Sequence, residues 1–207
     1  MELDEIKRHL KDQGVTFFHE EDAGIIINAD CLDILPKIPA GAIDLCLTDP
    51  PYPGFNNDHG RDWNNDFDIT KLGFDEIQQF IFWPIKSEFP LSWTGKHVWH
   101  KPNGQSEYHY EYIYERFGNK PCRVFRIPII NYQTLPEWTP HPTQKPLALI
   151  KKLVNLTKGN LILDPFLGSG TTAVACKELG RKFIGIEICE AYCKIAVDRL
   201  RQEVLFK

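Results

Sequence analysis

The sequence predicts an α/β fold built on a largely parallel sheet with helices packed against it. Three observations point there. Short apolar runs with the composition of buried strands, AIDLCLT, NLILD and KFIGIE, alternate with segments of helical character. Two acid-proline pairs, Asp49-Pro50 and Asp164-Pro165, sit where such strands end, and parallel sheets bind ligands at the carboxyl ends of their strands. The 207 residues, 43% hydrophobic and 25% charged, have the composition of one ordinary globular domain with a sizeable core.

In chain order, a first helix covers 4–13, and Gly14 stops it. VTFF and GIII flank HEEDA and read as a hairpin. Asn28-Ala29-Asp30 follows the second strand, and CLDILPKI is a short helix. AIDLCLTDPPY is a buried strand running into a stiff turn. Residues 53–70 are rich in Asn, Asp and Gly and form a loop. Residues 74–86 carry the pattern of an amphipathic helix. KHVWH, EYIYE and CRVFRIPII have strand composition, and the tyrosines at 108, 110, 112 and 114 alternate as a strand with one face in the core would place them. A helix over 143–157 is entered through Pro146. NLILDPF is a further buried strand, LGSGTT a Gly-rich turn, AVACKELG a helix, KFIGIEI a strand and ICEAYCKIAVDRLRQEV the last helix. No repeat or linker interrupts, so residues 1–207 read as one domain.

No apolar run approaches the length of a membrane span, and the opening MELDEIKRHLKDQG lacks the basic-then-apolar layout of a signal peptide. A cytoplasmic protein without a membrane partner is expected. The six cysteines (31, 46, 122, 176, 189 and 193) lack paired ligand spacing and read as small buried residues; Cys189 and Cys193 alone would make a poor zinc site. His97, His100 and His109 form no metal set. Asp58, Asp62, Asp66 and Asp68 lack the ordered spacing and closing Glu of a calcium loop, so no metal is expected.

The formal net charge is −4, but it is unevenly spread. Residues 1–95 hold 7 basic and 18 acidic side chains, a net of −11, whereas 96–158 hold 10 and 4, a net of +6. A basic segment on an acidic chain is how a local phosphate-binding surface looks, although a solvated face has the same composition.

The Gly-rich turn carries cofactor chemistry. Asp164-Pro165-Phe166-Leu167-Gly168-Ser169-Gly170-Thr171-Thr172 joins a strand to a helix, and Glu187 closes the next strand. The glycines permit a tight turn, the helix start offers free amides, and Glu187 is placed to accept hydrogen bonds from a ribose diol. The same spacing loosely fits a dinucleotide fingerprint. Asp164, however, would set a carboxylate beside a pyrophosphate, whereas it suits a ligand bearing an ammonium, such as the methionine part of S-adenosylmethionine.

Thr48-Asp49-Pro50-Pro51-Tyr52 ends the other buried strand. An aromatic amine is a poor nucleophile because its lone pair is delocalised into the ring. Acceptors on its protons favour the pyramidal geometry that exposes the pair. Asp49 supplies one acceptor and the Pro50 carbonyl a second. The prolines stiffen the turn, and Tyr52 offers a stacking face worth about 1–3 kcal/mol.

Together these residues resemble the amino-methyltransferases of DNA, which make N6-methyladenine or N4-methylcytosine. The likeness runs from about residue 25 onward. Asp49-Pro50-Pro51-Tyr52 matches the catalytic motif and DPFLGSGTT the cofactor loop, with Ile188 following Glu187. Asp30 and Cys31 match the motif that contacts the cofactor adenine. His141-Pro142-Thr143-Gln144-Lys145-Pro146 matches the helix entry that approaches the cofactor carboxylate, and HVWHKPN (97–103) lines the target-base side. The catalytic motif precedes the cofactor loop, the order of the beta class. The resemblance implies a circularly permuted, Rossmann-like S-adenosylmethionine-dependent methyltransferase fold, with one antiparallel strand and helices on both faces. It also implies double-stranded DNA as partner, a flipped base, direct in-line methyl transfer and, as in beta-class relatives, a homodimer.

Two departures stand out. SEFPLSWTGKH follows residues 74–86 almost at once, so a strand-helix unit after the catalytic motif looks shortened or absent. The target-recognition stretch, 116–140, is short, which implies a short recognition site or weak selectivity. Such compactness fits a phage or prophage orphan enzyme better than half of a restriction-modification system. Loop 53–70 would be a lid over the base, with Asn56 or Asn57 as contacts. Asp at the first motif position favours adenine N6 over cytosine N4. The remaining alternative is a catalytically degenerate subunit that binds DNA or cofactor. Cys122, the one cysteine after a proline, sits in a basic strand far from both motifs and reads as structural rather than as a C5-methylation nucleophile.

Overall fold

The computed structural model describes residues 1–51, 67–74, 76–103, 109–119, 121–129 and 144–202. Along the chain run α1 (Leu3–Asp12), β1 (His19–Glu21), β2 (Gly24–Asn28), α2 (Cys31–Ile34), β3 (Leu45–Thr48), β4 (Gln78–Trp83) and β5 (Gly95–His100). Then come β6 (Tyr110–Arg116), β7 (Val124–Arg126), α3 (Leu147–Val154), β8 (Leu161–Asp164), α4 (Thr171–Glu178), β9 (Lys182–Glu187) and α5 (Glu190–Arg201). One sheet takes these strands in the order β1-β2-β9-β8-β3-β4-β6-β5-β7. Pairing is parallel from β2 through β9, β8 and β3 to β4, and again between β5 and β7. The expected antiparallel strand is β6, between β4 and β5. A second is β1, which pairs antiparallel with β2. The hairpin's first strand is therefore HEE and not VTFF, and the Phe18 amide donates to the Ile26 carbonyl (2.8 Å) where the pairing begins.

Side-chain alternation divides the core in two. Ile26, Leu45, Leu47, Phe80 and Phe82 belong to the cluster with Leu149 of α3, Ala175 of α4 and Ala196 of α5. Ile25, Ile27, Ile81 and Trp83 belong to the other, with Ile6 of α1 and Ile34 of α2. Helices thus cover both faces. Two contacts align the strands that later matter. At the amino ends, Asp44 Oδ2 accepts from the Asn160 and Leu161 amides (2.7 and 2.8 Å), tying β3 to β8. At the carboxyl ends, Asn28 Nδ2 donates to the Glu187 and Ile188 carbonyls (2.8 and 3.0 Å), tying β2 to β9.

Residues 74–86 are not a helix. Gln78–Trp83 is a strand, and every residue from Gln79 to Trp83 is buried. A strand covered on both faces reads as a continuous apolar run, which periodicity cannot separate from a helix. The strand that looked shortened or absent is therefore present as β4. The helix after it is what is missing, since 84–94 returns to β5 without one. Aromatic rings cover the sheet there: Phe89 stacks on Tyr114 (centroids 4.1 Å apart) and meets Trp83 edge-on at 5.4 Å.

Four of the cysteines are buried, but Cys122 is exposed just before the edge strand β7, and Cys189 is partly exposed. Tyr114 is buried as expected of a core tyrosine. Tyr110 is 50% exposed and stacks on His100 at 5.1 Å. Tyr108, Asp58, Asp62 and Asp66 lie outside the described residues, while Asp68 caps a short 3-10 turn, accepting from the Thr70 amide at 3.0 Å. Among the described residues, no helix is long and apolar enough to cross a membrane.

Candidate active site

The carboxyl ends of β2, β9, β8 and β3 share one edge of the sheet, and a cavity of about 430 Å³ opens there. Its floor is the Gly-rich turn between β8 and α4. Gly168 and Gly170 have φ of 54° and 82°, a region that favours glycine. A side chain at 170 would also strike Ala196 Cβ of α5 at 2.6 Å, so α4 and α5 approach closely only because that residue has none.

Asp164 and Glu187 brace the turn from below. Asp164 accepts from Thr172 Oγ1 (2.6 Å) and the Phe166 amide (3.1 Å). Burial pushes its pKa up to about 7 against those two donors, with the nearby Asp49 and Glu187 adding to the rise. Glu187 accepts from the Gly168 and Cys189 amides, both at 2.8 Å, and burial raises its pKa despite them. Both carboxylates line the cavity.

Asp30 lines it too, while capping α2 through the Leu32 amide (2.9 Å), and Cys31 and the 71%-exposed Ile188 complete that wall. Phe166 faces the cavity and packs edge-on against Phe67 at 4.8 Å. The turn's hydroxyls are partly committed to its own scaffold. Arg199 of α5, only 7% exposed, donates to the Ser169 carbonyl (2.7 Å), Ser169 Oγ (3.2 Å) and Thr171 Oγ1 (3.0 Å). Ser169 Oγ in turn donates to Gln144 Oε1 at 3.3 Å.

Beside the turn, just past the end of β3, stands Asp49, followed by the buried Pro50 and by Pro51, which also lines the cavity. Lys145, from the segment entering α3, ion-pairs with Asp49 Oδ2 and lies 3.3 Å from Glu111 Oε1. Glu111 Oε2 meets Lys101 at 2.9 Å. Burial disfavours the charge on Lys145 and Glu111, but pairing outweighs it. The Lys145 pKa is raised by Asp49 and Glu111, and that of Glu111 is lowered by Lys145 and Lys101, so both stay charged. Thr48 Oγ1, buried beside Asp49, has no hydrogen-bond partner among the described residues and lines the cavity.

The structure thus brings Asp30, Cys31, Asp49, Pro51, Lys145, Asp164, Phe166, Gly168, Ser169, Thr171, Thr172, Glu187 and Ile188 around one space. Tyr52, His141 and Thr143, the expected lid with Asn56 and Asn57, and residues 130–140 of the recognition stretch lie outside the described residues. Sequence reasoning missed Glu111 and Arg199. The signal for each was a charge at a position whose neighbours in register are apolar: Glu111 inside EYIYE, and Arg199 beside Ala196 and Leu200 on the inner side of α5.

Comparison with known proteins bears on this arrangement. A family sequence model described as DNA methylase, of the N6/N4 type, matches residues 2–198. A type II methyltransferase of Lactococcus lactis subsp. cremoris, M2.LlaDCHI, is 27% identical over an alignment covering 89% of this chain and 92% of that protein. The DNA adenine methyltransferase YhdJ of Escherichia coli K12 is 28% identical, with 86% and 83% covered. Among solved structures, the M1.HpyAVI-SAM complex superposes with a TM-score of 0.61 at 24% identity, covering 86% of this chain and 98% of that one. The cytosine-N4-specific PvuII DNA methyltransferase superposes with a TM-score of 0.68 at 14% identity, covering 93% and 92%. At those identities the two structures speak for the fold alone.

Proposed function

This chain belongs to the DNA methylase family of the N6/N4 type, and from that premise we propose that it methylates the exocyclic amine of a flipped base in double-stranded DNA, adenine N6, using S-adenosylmethionine. One observation carries the reading: Asp49, just past the end of β3, lines the same cavity as Asp164 and Glu187, at the ends of β8 and β9 next to it in the sheet. The two reactants of an amine methylation need adjoining subsites of this kind.

The residues fit the cofactor. Asp164 is a buried carboxylate whose pKa is pushed up to about 7, and an ammonium beside it would relieve that cost. Glu187 is held by two amides at the end of β9 and keeps acceptor capacity for a ribose diol, since a carboxylate offers about four lone-pair sites. Asp30, Cys31 and Ile188 frame the space for an adenine ring. When bound, S-adenosylmethionine supplies an electrophilic methyl group on a sulfonium.

The chain's own part is positioning. Asp49 accepts a hydrogen bond from the target amine and turns its lone pair toward the cofactor side. Pro50 and Pro51 fix the turn that aims it, and Tyr52 stacks on the base. By the family resemblance His141 and Thr143 are the contacts to the cofactor carboxylate, while the Lys145 ammonium that follows them in the chain is held by Asp49 and Glu111. Residues 116–140, including the edge strand β7, serve as the recognition segment of the single domain. Adenine is favoured by the acid at the head of the motif and by the relative whose name specifies adenine.

The test is incubation with radiolabelled-methyl S-adenosylmethionine and unmethylated DNA, followed by nucleoside separation. Label is expected in N6-methyladenine and absent with Asp49→Ala. Label in N4-methylcytosine would reassign the base. No label, with cofactor binding intact by calorimetry, would overturn the enzyme reading in favour of a non-catalytic subunit.

A further inference from the structure

A row of alternating charges leads away from Asp49: Asp49, Lys145, Glu111, Lys101. Their side chains are 24%, 12%, 12% and 15% exposed, so water screens them little. The row lies on apolar ground, with the Lys145 ammonium 4.9 Å from the Phe82 ring centre and that of Lys101 4.4 Å from Trp99. Topology explains how it forms. β6 runs antiparallel to β4, so its amino end meets the carboxyl edge of the sheet, and Glu111 stands there opposite Trp99 of β5. Lys101 follows directly after β5, and Lys145 arrives from the far side of the sequence at the entry to α3.

We propose that Glu111 is a positioning residue for methyl transfer: it shares the Lys145 ammonium with Asp49, so that Lys145 orients the Asp49 carboxylate without claiming it outright. This rests on the reading of Asp49 as the acceptor for the target amine. A buried lysine with Asp49 as its one carboxylate would put its whole charge there, and the incoming amine, a neutral donor, would compete poorly with an ammonium. With Glu111 in place the ammonium has two seats. As the amine takes its hydrogen bond to Asp49, Lys145 shifts its weight toward Glu111, and no charge is stranded. Lys101 on the other Glu111 oxygen keeps that second seat ionised and fixed. Stability alone is a weak reason to keep this arrangement, because apolar residues of similar volume commonly replace buried ion pairs without loss.

The test compares Glu111→Gln, Glu111→Asp, Lys145→Met, the Glu111→Gln/Lys145→Met double variant and Asp49→Ala in the full chain. Turnover at saturating DNA and S-adenosylmethionine, calorimetric cofactor affinity and Tm are read for each. Glu111→Gln is expected to lower kcat by about 10- to 100-fold, the scale of a misplaced acceptor, while cofactor Kd measured below the lowered Tm stays near wild type; Tm itself falls, because Lys101 and Lys145 lose the carboxylate they share. Glu111→Asp recovers part of the loss. In the Lys145→Met background, Glu111→Gln adds nothing further, because its effect passes through that lysine. Unchanged kcat in Glu111→Gln, a loss confined to cofactor Kd, or losses that multiply in the double variant would overturn the inference while Asp49→Ala remains inactive. Turnover surviving in Asp49→Ala would instead overturn the acceptor reading beneath it.

Discussion

Asp164 shows how much chemistry one residue's surroundings can add to its type. Its place at the end of β8 follows from the sequence, but its titration does not, because burial is a property of the assembled site. With its pKa near 7, the empty protein holds a proton there that the unfolded chain would have released. Between the ordinary carboxylate range and about 7 the folded state therefore binds more protons, and its stability falls as pH rises through that window. Cofactor binding has the opposite sign. A ligand ammonium favours the ionised carboxylate, so affinity for S-adenosylmethionine is expected to tighten as pH rises toward about 7, by at most about tenfold per unit and with a proton released on binding, and to level off above that. Calorimetry in buffers of differing ionisation enthalpy reads both, and Asp164→Asn should flatten the dependence. Asp49, Glu187 and the glycines were legible for a different reason: their spacing along the chain reports a strand-turn-helix directly. Glu111 and Arg199 were not, since each acts through a partner far away in sequence, Lys145 in one case and Ser169 in the other.

Among the elements, β4 and the crossover after it were hardest to read. The strand has neither exposed face nor alternation, and its neighbours β3 and β6 come from distant parts of the chain. By contrast β2, β8 and β9 are short apolar runs bounded by turn residues, and the sequence places them to within a few residues, while the strand paired with β2 lies in HEE and not in VTFF. The crossover 84–94 replaces a helix with packed rings, and Phe89 is its anchor at 8% exposure. Phe89→Ala is expected to cost about 3–5 kcal/mol of stability, the range for a core phenylalanine. Its cofactor affinity below the lowered Tm should stay near wild type, because the ring lies on the sheet face away from the Gly-rich turn's helices. Denaturant unfolding beside calorimetry checks both parts; a loss of affinity with unchanged stability would show that the crossover shapes the site.

At the scale of the molecule, the basic segment 96–158 divides. Lys101, Lys145 and Arg116 are turned inward and paired, whereas Arg123 and Arg126 on or beside β7 and Lys152 and Lys158 around α3 face solvent. Arg126 pairs in register with His100 and so lies on the same edge of the sheet as the cavity. Arg126→Ala is expected to weaken DNA binding about equally for all sequences and to reduce the salt dependence of log Kd by about one, without changing cofactor affinity. Fluorescence anisotropy over a salt series measures this, and an unchanged slope would remove Arg126 from the DNA surface. The strand order has a consequence for how the chain is made. β8 and β9 insert between β2 and β3, so during synthesis the two early strands wait, each with an open edge, until more than a hundred further residues have left the ribosome. The nascent chain therefore carries two open strand edges until late, and the residues that line the cavity come together only when the late strands close the gap.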